Sequence, residues 1–282
     1  ITLSEEIRHA TYDLQEANVR LKKLDQLKDD FVSIASHELR TPMAAIRSYA
    51  WMALHRADVP LSKTVEKYVA RILISTERLI NLVNDLLNVS RIESGRVEIN
   101  PEPVDVLLLI KDIIDEVYYS KSEEKNIQFV TAEKPVPKVF ADPEKLRQVF
   151  LNLVGNSLKF TPTGGKISFD FFSDGKVVET SVSDSGVGIP KEDISKLFHK
   201  FSRLDNSYTA AATSGGTGLG LYISKNLIEL MQGKIRVSSE GTDKGATFTV
   251  SLPVAREEVL KNAEKYTIKA QGEAKGLESV AL

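Results

Sequence analysis

The feature that most limits how this chain can fold is an apolar seam near its start. Leu3, Ile7, Ala10, Leu14, Ala17, Leu21, Leu24 and Phe31 recur in steps of four and three, interrupted at Lys28. That spacing is the a/d seam of a coiled coil, and the positions between are mostly Glu, Lys, Arg, Asp and Gln, as on a solvated helix face. An amphipathic helix needs a neighbour to cover such a seam, and no adjacent stretch of the sequence offers one. The pattern therefore predicts a helix that pairs with a second copy of itself.

The helical pattern continues to about Arg56, with Pro42 inside it, where a missing backbone donor predicts a bend. Residues 57–62 (Ala-Asp-Val-Pro-Leu-Ser) read as a turn that ends in an N-cap at Ser62. A second helix then runs to about Ser90, with Val65, Tyr68 or Val69, Ile72, Leu79, Val83 and Leu86 on one face. Two long antiparallel helices per chain, dimerised, make a four-helix bundle. Gly95 and the Asn-Pro-Glu-Pro run at 100–103 predict a linker. The expected division is a coiled-coil helix over 1–30, a helical hairpin domain over 25–95, a linker over 96–104 and a second domain over 105–255. From Arg256 the pattern fades into a charged tail, 256–282, to which no role is assigned.

The second domain alternates helices and strands. A helix at about 105–121 precedes a strand at 126–131 and an extended segment at 136–140. Asp142-Pro143 opens the next helix, with Asp as N-cap and Pro at the first helical position. Strand patterns at 166–173 and 176–184 flank Ser-Asp-Gly, a hairpin turn sequence. Helical segments near 191–198 and 218–231 precede two further strands, 233–239 and 246–252, joined by a glycine-containing turn. Such mixing predicts an α/β sandwich, with a sheet on one side and helices on the other.

Composition narrows the function classes. With 42% hydrophobic and 27% charged residues the 282-residue chain reads as an ordinary globular protein of two domains. A net charge of −2 gives no basic face for nucleic acid, and the absence of cysteine excludes disulfides and thiolate metal sites. No stretch approaches the roughly 20 apolar residues that span a bilayer. The chain begins Ile-Thr-Leu rather than with Met. It is therefore expected to be a fragment, cytoplasmic or the cytoplasmic part of a membrane-bound receptor, whose upstream sensor domain is absent.

Four blocks carry chemistry. In Ser-His-Glu-Leu-Arg-Thr-Pro (36–42), His37 and Thr41 share one helix face, and Glu38 and Thr41 are also neighbours. A neutral imidazole can attack phosphorus once its proton is removed, and Glu38 is placed to accept that proton or to orient the ring. His9, His55 and His199 have no adjacent acid in a comparable setting and are read as structural or surface residues. In Asn-Leu-Val-Gly-Asn-Ser-Leu-Lys-Phe-Thr (152–161), Asn152 and Asn156 project from one helix face. An amide oxygen suits a hard cation, Lys159 suits phosphate, and Phe160 suits packing near a base. Asp184 ends a strand and opens Asp-Ser-Gly-Val-Gly-Ile-Pro (184–190), where its carboxylate can accept the exocyclic amine of adenine. Gly186 and Gly188 permit tight backbone turns beside it. Finally, Gly-Gly-Thr-Gly-Leu-Gly-Leu (215–221) runs into a helix, an arrangement that favours phosphate. It is neither a Rossmann fingerprint nor a Walker A loop. The small, polar run 206–214 before it reads as a mobile lid.

In this order the blocks resemble the H, N, G1 and G2 boxes of a sensor histidine kinase, over roughly residues 25 to 254. The resemblance implies a phosphoacceptor His37, Glu38 as base, and Thr41 positioning water for dephosphorylation of a response regulator. It implies ATP and Mg²⁺ as ligands, with Asn156 as the metal ligand. The implied nucleotide set is Asn152, Asn156, Lys159, Phe160, Asp184, Gly186, Gly188, Ile189, Lys200, Gly216, Thr217, Gly218, Leu219 and Gly220. Phe198-His-Lys-Phe201-Ser-Arg203 resembles the F box, with Phe198 and Phe201 read as core or lid packing and Arg203 carried over as a triphosphate contact that stabilises transferring charge. The implied partners are a second copy and a response-regulator receiver domain, with no nucleic acid. Ser157 departs from the pattern, standing where the family usually has Ala, a change expected to matter little. A nucleotide-binding scaffold without phosphotransfer, and a nucleotide-gated ATPase machine, are the competing classes. The second of these leaves the His37 block unexplained.

Overall fold

Helix α1 (Leu3–His55) runs unbroken through Pro42, in a computed structural model that describes residues 3–55, 61–117, 126–132, 134–202 and 217–256. The chain divides into two compact units, at Arg96 and Val97. Of the predicted coiled-coil seam, Leu14 and Ala17 are exposed, while the side chains of Leu3, Ile7, Ala10, Leu21, Leu24 and Phe31 lie outside the described residues.

The second helix of the first unit, α2, spans Lys63–Glu93. Its start is local chemistry: Ser62 is extended (φ −63°, ψ 147°) and its hydroxyl accepts the Val65 N–H at 3.4 Å. Its end lies three residues past the expected Ser90. Gly95 takes a left-handed φ of 65°, its N–H reaching the Ile92 carbonyl and the Arg96 N–H the Arg91 carbonyl, which closes a Schellman cap. Most of the 57–62 turn lies outside the described residues. Between α1 and α2 the buried positions are Ser36, Met43 and Ala50 on one helix and Thr76, Val83 and Val89 on the other. The predicted apolar face of α2 therefore divides. Val83 is 3% exposed, while Val65, Ile72, Leu79 and Leu86 are 36–49% exposed and form a separate row at steps of seven. One row cannot serve two helices at once. The hairpin uses the Thr76–Val83 row and leaves the other outward.

In the second unit the expected linker is corrected. Glu102–Val104 forms strand β1, which pairs antiparallel with β3 (Val139–Ala141). Pro103 bars a central position, so the strand sits in a two-stranded sheet of its own. Helix α3 (Val106–Val117) follows, and the predicted extension to 121 lies outside the described residues. The main sheet has order β2-β4-β5-β7-β6, from β2 (Gln128–Thr131), β4 (Lys166–Ser173), β5 (Val177–Asp184), β6 (Lys234–Ser238) and β7 (Ala246–Pro253). Among the described strand pairs of this sheet, β2–β4 is parallel and the others are antiparallel.

Alternation along the strands divides the two sheet faces. Ile167, Phe169 and Phe171, with Val178 and Val182, point into a core shared with α4 (Pro143–Phe160) and α6 (Gly220–Leu230), which contribute Phe150, Leu153, Ile223 and Ile228. The opposite face is polar: Ser181–Thr249 and Ser183–Thr247 pair at 3.0 and 2.9 Å, and Arg236 makes a two-point contact with Glu179. Helices on one face of a mostly antiparallel sheet make the expected α/β sandwich. The expected helix at 191–198 is only one turn, α5 (Lys191–Ile194), before the chain passes into turns.

Candidate functional site

His37 stands on an open face of α1. Its side chain is 75% exposed and Glu38 is 77% exposed, with His37 Nδ1 3.5 Å from Glu38 Oε1. Thr41 lies one turn on and donates its hydroxyl proton to the His37 carbonyl at 3.3 Å, so its oxygen retains lone pairs for an incoming donor. Arg40, which the sequence reading passed over, donates to Asn84 Oδ1 of α2 at 2.9 Å and ties the helix beside His37 to its partner helix. The other histidines differ as expected. His55 stacks on Trp51 at 4.7 Å and donates Nδ1–H to the Trp51 carbonyl, while His9 and His199 are exposed and have no acid next to them in the sequence.

The remaining blocks meet in the second unit, around α4. Asp142 caps that helix, its Oδ1 accepting the Lys145 N–H at 3.0 Å. On α4 the two asparagines part company. Asn152 donates to Ser224 Oγ of α6 at 2.9 Å, and a Cβ on Gly220 would collide with Asn152 Oδ1, so Asn152 joins the two helices. Asn156 is half-buried and its side-chain amide has no hydrogen-bond partner among the described residues. Lys159 Nζ lies 4.9 Å from the Phe160 ring centroid, and Lys200 Nζ lies 5.3 Å from that of Tyr222.

Asp184 closes β5 against the end of α4. Its Oδ1 accepts the N–H groups of Gly186 (2.9 Å) and Ala246 (3.3 Å), and its Oδ2 accepts the Ser157 hydroxyl at 3.3 Å. Burial pushes this carboxyl above its ordinary value, opposed by those three hydrogen bonds. A Cβ on Gly186 would lie 2.7 Å from both Asp184 Oδ1 and the Phe160 carbonyl oxygen. The loop is held from the far side by the turn between β6 and β7, which the sequence presents only as a connector. Ser239 Oγ accepts the N–H of Ile189 at 3.0 Å and donates to the Gly245 carbonyl at 2.6 Å. The Asp243 and Gly245 N–H groups reach the carbonyls of Val187 and Gly186.

Gly188 and Gly245 are equally tight points of that contact. Gly188 has φ 68°, and a Cβ there would collide with the Gly241 carbonyl. Gly188→Ala is expected to cost about 1–3 kcal/mol through that clash and the left-handed backbone. Thermal denaturation reads this, and a melting temperature equal to the parent's would show that the turn yields freely.

Before α6, Gly218 has φ 74° and the buried Leu219 donates its N–H to Thr217 Oγ1 at 3.2 Å. Among the described residues no side chain caps α6. Gly216, Arg203 and the 206–214 lid lie outside the described residues. Phe198 is half-buried, but Phe201 is 62% exposed at φ 57°, which removes it from the core; the lid against which it was otherwise expected to pack lies outside the described residues.

These residues fit a nucleotide. The bare faces of Gly186 and Gly220 leave room where a Cβ would fall on Asp184 or Asn152, and Asp184 offers an acceptor-only edge. A magnesium ion also fits. Among the described residues no cluster of three acidic or histidine ligands exists, so an ion at Asn156 would draw its other ligands from phosphate and water, as Mg²⁺ prefers.

Two family models match in the same order as the geometry. Residues 27–95 match the His Kinase A (phospho-acceptor) domain, and residues 141–256 match the histidine kinase-, DNA gyrase B- and HSP90-like ATPase. The chain belongs to the sensor histidine kinases. Sensor histidine kinase WalK of Bacillus subtilis (strain 168) is 35% identical over 254 residues, 88% of this chain and 39% of WalK. The solved structure of full-length ShkA in complex with AMPPNP superposes with a TM-score of 0.66 at 31% identity, over 80% of this chain and 46% of ShkA. The complex of histidine kinase ThkA with response regulator TrrA gives 0.57 at 27%, over 86% and 66%. This kinase chain spans 39% or less of the curated relatives it matches. Among the described residues, no helix is long and apolar enough to cross a membrane.

Proposed function

We propose that this chain binds ATP with Mg²⁺ in its second unit and transfers the γ-phosphoryl group to His37. The observation that carries the reading is His37 itself, an exposed imidazole with a carboxylate at its Nδ1. With the Nδ1 proton facing Glu38, the lone pair at Nε2 is the nucleophile. The new Nε2–P bond forms as the bond from the γ-phosphorus to the bridging oxygen breaks, ADP departs with that electron pair, and Glu38 takes up the Nδ1 proton. Asp184 receives the adenine amine, Asn156 holds the metal, and the glycine backbone before α6 faces phosphate. Mg²⁺ supplies charge neutralisation of the triphosphate when bound. Asn152 serves by seating α6, given its bond to Ser224.

The phosphoryl group then passes to an aspartate of a response-regulator receiver domain. The neighbour solved with a response regulator supports this step. Thr41, with lone pairs free to accept from water, supports a reverse phosphatase activity. Incubation with γ-labelled ATP tests the reading: an acid-labile label on the protein is expected, and steady hydrolysis without phosphoprotein overturns it in favour of an ATPase machine.

A homodimer is proposed on the outward row Val65, Ile72, Leu79 and Leu86, together with Leu39 and Ile46 of α1. Leu79→Glu places a charge in that row and is expected to weaken association at least 10-fold, since burying one leucine is worth about 1.5–3 kcal/mol. Light scattering over a concentration series measures it, and an unchanged dimer removes the row from the interface.

A further inference from the structure

We propose that Ser157 is a specificity-determining residue for the nucleotide base, its buried hydroxyl fixing Oδ2 of Asp184 as the acceptor for an exocyclic amine. This rests on the reading that Asp184 contacts the base. The two carboxylate oxygens of Asp184 are held differently. Oδ1 accepts two main-chain N–H groups, of Gly186 and Ala246, and a carboxylate oxygen has about two acceptor sites. Oδ2 has one protein donor, the Ser157 hydroxyl, and one site left over. A base amine can therefore be received only at Oδ2, beside Ser157.

Ser157 is unusually placed for a helical serine. It is 1% exposed, and its hydroxyl forgoes the carbonyl of Leu153 four residues back, the common partner within a helix. Instead it crosses from α4 to the end of β5. Its own carbonyl accepts both the N–H (2.9 Å) and the hydroxyl (2.6 Å) of the buried Thr161, which anchors the turn from behind. The hydroxyl donor keeps Oδ2 an acceptor and fixes the plane of the carboxylate, against burial that disfavours its charge. An acceptor-only edge matches the amine of adenine and repels the carbonyl that hypoxanthine carries at the same position. Without the hydroxyl, Asp184 keeps its Oδ1 bonds but its Oδ2 edge is free to turn or to bind a proton, and the discrimination falls.

The test measures dissociation constants of ATP and inosine triphosphate on the full chain by titration calorimetry, for the parent, Ser157→Ala, Ser157→Cys and Asp184→Asn. Ser157→Ala is expected to weaken ATP about 5- to 10-fold, the scale of one ordinary hydrogen bond lost behind the contact, and to change the inosine nucleotide less than about twofold. Ser157→Cys retains a weak donor of similar size and is expected to fall between the two, which also covers any loss of folding by the alanine variant. Equal weakening of both nucleotides, or an unchanged ATP constant, overturns the proposal by leaving Ser157 a packing residue. The underlying reading fails separately. If Asp184→Asn keeps the parent's preference for ATP, the base does not meet Asp184. If Asp184→Asn loses it and Ser157→Ala does not, only the role of Ser157 falls.

Discussion

Replacing His37 by glutamine is expected to remove the acid-labile phosphate from the protein, by more than about 1,000-fold against the parent, while ATP affinity changes less than twofold. A nucleophile that forms a covalent intermediate has no substitute at its position, so its loss takes the whole transfer rate. The fold has little stake in this side chain. His37 is 75% exposed and, among the described residues, its side chain makes a polar contact only with Glu38, so the substitution falls among surface changes worth about ±0.5 kcal/mol. Glutamine also keeps the helix propensity and a polar end. Acid and base stability of the label, followed by peptide mapping, checks the outcome. A label that persists in His37→Gln would move the phosphoacceptor to another residue. Glu38→Gln grades the same experiment: loss of a positioned base is expected to slow labelling about 100- to 10,000-fold without moving ATP binding.

The elements that proved readable in the sequence are those whose determinants lie within a few residues. Ser62 and Asp142 cap their helices through a hydroxyl and a carboxylate that reach N–H groups three residues on. The 173–177 hairpin follows from Asp174, which accepts the N–H groups of Lys176 and Val177, and from Gly175 at φ 83°. What stayed hidden depends on distant partners. Strand β1 exists because of β3, in a pairing such as Pro103 with Phe140 that no local pattern announces. The α2 face divides because α1 can occupy only one row of it. Within the site, Asp184 and the glycines stood out as a block, but their supports did not. Ser239 reaches Ile189 across 50 residues, and Ser224 reaches Asn152 across 72. Serines in a strand end and a helix look like solvated residues until the fold brings a donor to them. Ser157 alone left a trace, as the small departure in its block.

Asp184→Asn is expected to cut ATP affinity about 100-fold or more while leaving thermal stability equal or higher. The two effects separate because the fold and the ligand want different things from this side chain. Burial raises the Asp184 pKa above 3.8 in the folded protein, so its favourable contribution to stability is present below the unfolded value and is lost as pH rises through the folded one. At neutral pH the ionised group is thus a net cost to folding, and the neutral amide relieves it. The asparagine keeps the geometry: its Oδ1 can accept from Gly186 and Ala246, and its Nδ2 can donate to Ser157 Oγ in the reverse sense. The ligand, however, meets a donor where it needs an acceptor, and a site built around one hydrogen bond rejects a mismatched partner strongly. Melting curves and ATP titrations on the same samples check both halves. The affinity gap between parent and variant should also close on acidification, at a pH above the ordinary aspartate value, as the parent's own Asp184 takes up a proton. A variant that melts well below the parent, with ATP affinity lost in proportion, would make Asp184 a structural residue and leave the base to be read elsewhere.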